Sequence, residues 1–150
     1  HLGNVCYKPY PDHYQRWRQQ VGRLRFGGLG PAKLNEQLTV DPNNDAWLES
    51  TGRDPIIFFG DTSLRAGTDY LLRIEIESEV NSIAQLFIGQ TGGEHTFFEK
   101  CSISRHVSVG PNALEFTVSA GGRNQQLRFD PLKCPGRFRI TAMELITIKP

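Results

Sequence analysis

Tyr70-Leu71-Leu72-Arg73-Ile74-Glu75-Ile76-Glu77 alternates with a period of two. Leu72, Ile74 and Ile76 share one side of an extended chain, and Arg73, Glu75 and Glu77 share the other, because successive strand side chains point to opposite faces. One dry face and one wet face describe a half-buried strand of an antiparallel sheet. The habit recurs along the chain. Leu114, Phe116 and Val118 alternate with Glu115, Thr117 and Ser119, Leu127 and Phe129 with Gln126 and Arg128, and Phe138 and Ile140 with Arg137 and Arg139. Further strands are expected at 55–60, 83–89, 97–109 and 144–149. Turn residues separate them at Asp61-Thr62-Ser63, Gly92-Gly93, Gly110-Pro111-Asn112, Gly121-Gly122 and Pro135-Gly136. Seven or eight short strands without a βαβ pattern predict an all-β fold, an antiparallel β-sandwich of jelly-roll type.

The size fits this reading. The chain has 150 residues, 38% of them hydrophobic, which suits one domain. Folding at this length buries roughly 68–70% of the accessible surface, so a core needs neither metal nor disulfide. The net charge of +1 argues against nucleic-acid binding by the whole domain. The longest apolar run, Ile56-Ile57-Phe58-Phe59, falls far short of the roughly 20 residues of a membrane span. A start at His1 with Met143 as the sole methionine reads as a piece of a larger protein.

Residues 1–36 behave differently from 37–150, where the sandwich is expected. Lys8, Arg16, Arg18, Arg23, Arg25 and Lys33 face only Asp12 among residues 1–33. Tyr14, Trp17, Val21 and Leu24 share one face of a helical period, so a short helix is expected over 13–24, N-capped by Asp12. Gly27-Gly28-Leu29-Gly30-Pro31 would end it as a linker. Such a basic amphipathic segment, 13–25, suits a membrane surface or an acidic partner. It equally suits packing of the Trp17 stripe on the domain with the arginines solvated.

Signatures of catalysis are sparse. The sequence has no GxSxG, HExxH or P-loop motif. Glu94, Glu99, Asp61 and Asp130 are acidic residues near turns, but a glycosidase needs two carboxyls roughly 5–10 Å apart across a cleft. Cys101 and His106 would point to opposite faces of a strand. No catalytic residue, metal site or cofactor is therefore assigned. Cys6, Cys101 and Cys134 lack zinc-site spacing. They read as unpaired thiols, or as a Cys101–Cys134 disulfide in an oxidising compartment.

Binding is the more open possibility. Sugar recognition takes aromatic faces for the C–H edges of the rings, with amides, carboxylates and guanidiniums for the hydroxyls. Gln90-Thr91-Gly92-Gly93-Glu94-His95-Thr96 is the longest polar loop flanked by aromatics. The ligand-binding candidates are Trp47, His95, Phe97 and Phe98, with Gln90, Glu94, Arg123 and Arg128 as polar partners. Each has a plainer reading: Trp47 as a core plug at the sandwich edge, Phe97 or Phe98 as the inward member of an adjacent pair, and Arg128 as half of a surface ion pair with Asp130.

The order Gly52-Arg53-Asp54-Pro55, Leu64 to Leu72, Leu86-Phe87-Ile88, Phe98-Glu99, Leu127-Arg128-Phe129-Asp130-Pro131, Pro135-Gly136-Arg137-Phe138-Arg139-Ile140 and Met143-Glu144-Leu145-Ile146 resembles β-sandwich accessory modules of bacterial glycosyltransferases that build surface polysaccharides. The skeleton consists mainly of turn and core residues and leaves 1–51 outside. The resemblance implies a non-catalytic, carbohydrate-binding-like module of a larger polysaccharide-synthesis protein. Its partners would be a glycan and the adjacent domains, and its place cytoplasmic and membrane-associated. Two alternatives stand beside it: a spacer or docking domain without sugar binding, and a polysaccharide lyase or hydrolase.

Overall fold

The computed structural model describes residues 23–25, 29, 31–43, 47–60, 62, 64–89, 97, 99–121 and 126–148. They form two antiparallel sheets packed face to face. The strands are β1 (Arg23–Arg25), β2 (Pro31–Leu34), β3 (Leu38–Val40), β4 (Leu48–Ser50), β5 (Ile57–Phe59), β6 (Asp69–Ser78), β7 (Ser82–Ile88), β8 (Ser102–Val107), β9 (Gly110–Ser119), β10 (Leu127–Asp130) and β11 (Gly136–Ile148). One sheet has the order β1-β2-β5-β10-β7-β8 and the other β3-β4-β11-β6-β9. From β5 onward the chain crosses repeatedly between them, as the expected sandwich requires.

The strand β6 pairs with β9 on one side and β11 on the other. Its Leu72, Ile74 and Ile76 are buried, together with Leu114, Phe116 and Val118 of β9. They meet Ile57, Phe59, Leu86, Leu127 and Phe129 of the six-stranded sheet in one core. Phe116 and Phe129 join the sheets edge to face, with centroids 6.1 Å apart, a geometry that matches ring edge to ring face electrostatically. At the sandwich side, Arg105 of β8 lays its guanidinium 5.6 Å from the Phe116 ring centroid. Its Nε donates to the Glu115 carbonyl at 3.1 Å.

Several expectations change. The strands expected at 137–140 and 144–149 are one 13-residue strand. A bulge at Thr141 shifts the register between Ile140 and Ala142, so the inward residues change from Phe138 and Ile140 to Met143 and Leu145. An extra residue in a strand reverses its alternation, which is why the sequence reads as two strands. The strand expected over 97–109 begins only at Ser102, after the 3-10 turn Glu99–Cys101. The boundary at 36/37 falls inside the sandwich, because β2 pairs with β5 and β1 with β2. Arg23 and Leu24, expected to end the helix, lie in β1; the rest of that helix, 13–22, is outside the described residues. The three or four residues of each of β1 to β4 carry too little pattern to show in sequence, and cross-strand hydrogen bonds supply what local pattern does not. Cys101 is disulfide-bonded and Cys134 is a free thiol, so the Cys101–Cys134 pairing does not occur.

Truncating the aromatic contact between the sheets tests this core. Phe116→Ala is expected to lower the unfolding free energy by about 3–5 kcal/mol through lost burial and a residual cavity. Urea unfolding measures it, and an unchanged midpoint would show that the sheets do not depend on the contact.

Candidate functional site

Gln90, Glu94, His95, Phe98 and Arg123 lie outside the described residues, as do Asp61 and most of the 90–98 loop. Phe97, Arg128 and Trp47 are described; Phe97 and Arg128 share the covered side of the six-stranded sheet, around Phe87, and Trp47 lies on the five-stranded sheet.

Phe97 is a correction. It is fully buried, in a small cluster with Ile56 and Phe87, and meets the Phe58 ring edge-on at 5.8 Å. It fits because Gly89 has no side chain: a Cβ there would come within 2.9 Å of the Phe97 ring. A ring closed in this way presents no face to a ligand.

Arg128 is a second correction. It does point opposite Phe129, but that outer face of the six-stranded sheet is covered. The Arg128 side chain is 3% exposed and its partner Asp130 1%. The guanidinium stacks 4.4 Å from the Phe87 centroid. Nε and Nη2 donate to the two Asp130 oxygens at 2.8 and 2.7 Å, and Nη2 also reaches Asp54 at 3.2 Å. Asn35 holds the Asp54 segment, donating to the Asp54 carbonyl at 2.7 Å and accepting from the Ile56 amide at 3.1 Å. The expected surface pair is thus a buried one, closed to a sugar or phosphate. Burial raises the Asp130 pKa to about 6 against the opposing pull of the Arg128 charge. Nearby, Gln85 donates to Glu99 at 2.9 Å and accepts from Lys133 at 2.6 Å, so Glu99 belongs to a surface network.

Trp47 is half-buried at the start of β4, on the open outer face of the five-stranded sheet. The strand registers place it in a row that crosses this sheet. Asp41 donates its amide to the Trp47 carbonyl at 2.9 Å. Phe138 pairs with Leu48, which sets Arg139 opposite Trp47. Arg139 pairs with Glu77, and Glu77 with Pro111. The Arg137 and Arg139 guanidiniums lie 4.9 and 5.0 Å from the Trp47 ring centroid, attracted by the ring quadrupole. Acids hold both arginines. Arg137 donates to Asp41 at 2.8 Å and Glu79 at 2.9 Å, and Arg139 to Glu77 at 2.8 Å.

The next row is low. Ala142, Glu75 and Ala113 stand side by side on β11, β6 and β9, and two of them carry only a methyl group. Glu144, Arg73 and Glu115 form the row beyond, where Arg73 reaches Glu115 at 3.1 Å and Glu75 at 3.4 Å. A shallow trough therefore crosses the strands. Two-residue steps along a strand put its flanking rows about 13 Å apart. It offers an indole, carboxylates and guanidiniums pinned by ion pairs. Among the described residues no group of three or more His, Cys, Asp or Glu is placed to hold a metal ion.

The sequence singled out Trp47 but none of its neighbours. The outward set of Arg137 and Arg139 was visible in the alternation of β11; their meeting with Trp47 depends on the β4–β11 register, which no local pattern encodes.

No family model matches the chain, and no curated protein matches it in sequence. Solved structures are similar in fold. BiXyn10A CBM1 superposes with a TM-score of 0.58 at 12% identity, covering 84% of this chain and 92% of its own. The N-terminal cellulose-binding domain of Cellulomonas fimi β-1,4-glucanase C gives 0.52 at 12% identity, covering 86% and 90%. The CBM22-1 xylan-binding domain of Paenibacillus barcinonensis Xyn10C gives 0.51 at 12% identity, covering 86% and 87%. At these identities the likeness establishes a shared β-sandwich fold.

The buried pair makes two predictions. Arg128→Met is expected to cost about 3–5 kcal/mol by stranding a buried carboxylate, while Arg128→Met combined with Asp130→Leu recovers most of that loss. Urea unfolding of the three proteins decides; equal losses in single and double variants would contradict it. The second concerns pH. Asp130 shifts from 3.8 to about 6 on folding, so between these values the folded state binds the proton better, and the group's contribution to stability grows as pH falls. Wild type should therefore gain on Asp130→Asn by about 1 kcal/mol per pH unit from pH 6 toward 4. A gap that stays constant over this window would refute the shift.

Proposed function

We propose that the chain is a non-catalytic, carbohydrate-binding-like accessory module, and that it holds a glycan in the trough beside Trp47 on the outer face of the five-stranded sheet. The observation that carries this reading is Trp47 itself: a half-exposed indole on an open sheet face, in a row with Arg139 and Glu77. Aromatic surface takes the apolar edge of a sugar ring, and fixed polar groups orient its hydroxyls. The shared fold with cellulose- and xylan-binding domains agrees with it.

The module would serve a larger bacterial protein of surface-polysaccharide synthesis, in keeping with the sequence resemblance. Action by binding is favoured over hydrolysis or lyase chemistry because Asp130 is sealed from solvent by Arg128, and Glu99 is engaged by Gln85. The disulfide at Cys101 supports an oxidising compartment over the cytoplasm.

A glycan array followed by titration calorimetry tests the reading. A saturable hit is expected, weakened about tenfold or more by Trp47→Ala, a loss of roughly 1.4 kcal/mol. The far-ultraviolet spectrum and unfolding midpoint should stay near wild type. A clean array, or a hit indifferent to Trp47, would remove the proposal.

A further inference from the structure

The charges around the trough say which glycans it would take. The outward face of the five-stranded sheet carries, among the described residues, the carboxylates of Asp41, Glu49, Asp69, Glu75, Glu77, Glu79, Glu115 and Glu144. Against these eight stand three guanidiniums, those of Arg73, Arg137 and Arg139. The imbalance is local, since the whole chain is nearly neutral at +1.

The guanidiniums are also already committed. Arg137 is shared by Asp41 and Glu79, Arg139 is held by Glu77, and Arg73 is shared by Glu75 and Glu115. Five carboxylates thus surround three cations. Glu144 stands directly across from Arg73, in a row that bounds the trough, and Glu49 across from Arg137, one row behind Trp47, adding further negative charge on both sides. A uronate or sulfate entering the trough would have to displace one of these acids or sit among them. Both cost free energy, because like charges within a Debye length, about 8 Å at 0.15 M salt, repel without full screening. A hydroxyl meets no such barrier, since carboxylates accept its hydrogen bonds well.

From this we infer that the trough selects glycans free of acidic groups and excludes uronic-acid and sulfated polymers. The inference rests on the reading of the trough as a glycan site and adds its selectivity. Glu49 and Glu144 act as specificity-determining residues, by repulsion rather than by contact.

The test uses the full chain and two sets of probes, neutral oligosaccharides and galacturonate or glucuronate oligosaccharides of equal length, titrated at 0.05 and 0.5 M NaCl. Binding of a neutral probe at least tenfold tighter than its uronate counterpart at low salt is expected, with the gap narrowing at high salt. The double variant Glu49→Gln, Glu144→Gln should raise the ratio of uronate to neutral affinity several-fold, whatever its effect on neutral binding itself. Uronates that bind as well as neutral probes, or a gap indifferent to both salt and the double variant, overturn the inference while leaving the glycan site standing. Absence of binding to either set overturns both.

Discussion

The alternation of β6 constrains the structure more than any other single feature. Its ten residues lie between β9 and β11, so its choice of inner and outer face is imposed on both neighbours. Leu72, Ile74 and Ile76 go to the core, and Arg73, Glu75 and Glu77 are thereby forced outward into one plane with Arg139 and Glu115. A slip of one residue would turn every one of these side chains to the wrong face. The dry side builds the sandwich and the wet side builds the trough. The two cannot be changed independently along this strand.

The sandwich treats its two outer faces differently. On the six-stranded sheet, Phe58, Phe87 and Phe97 close over Arg128 and Asp130, making a second, smaller interior that contains an ion pair. On the five-stranded sheet the ion pairs stay at the surface, with side chains more than a third exposed in most of them. Similar residues thus do opposite work. The buried pair ties Asp54, ahead of β5, to β10, and removing one partner would strand a buried charge, whereas the exposed pairs contribute little stability each, and those of Arg137 and Arg139 hold guanidiniums around an indole.

The long strands were legible in the sequence because each spans enough residues for a dry face to show, and the short β10 because two large apolar residues flank an arginine. β6, β9, β10 and the first half of β11 appear as alternation in Leu72 to Ile76, Leu114 to Val118, Leu127 to Phe129 and Phe138 to Ile140. β1 to β4 were not: unlike the equally short β10, where Leu127 and Phe129 flank Arg128, their three or four residues were not recognised as a dry and a wet side, and their identity comes from the strand they join. Alternation correctly placed Arg128 away from the core containing Phe129, but it says nothing about what lies over that far side. Phe97 was misread for a related reason: its position follows from the bare backbone of Gly89, a tertiary fact. At the trough, Trp47 was legible as an aromatic near a loop, while its partners belong to strands some ninety residues away in sequence, as the Arg137–Asp41 contact shows.

Arg105 has a consequence for how the molecule behaves among copies of itself. β9 is a long strand at the end of its sheet, and its outer backbone groups are a template on which a foreign strand could pair. The Arg105 side chain, sent across from the other sheet, already occupies the Glu115 carbonyl in the middle of that edge and places a positive charge there. Pairing of a foreign strand along β9 would first have to displace this guanidinium. A side chain of one sheet thereby guards the open edge of the other, so that the longest end strand is the one least available for self-association.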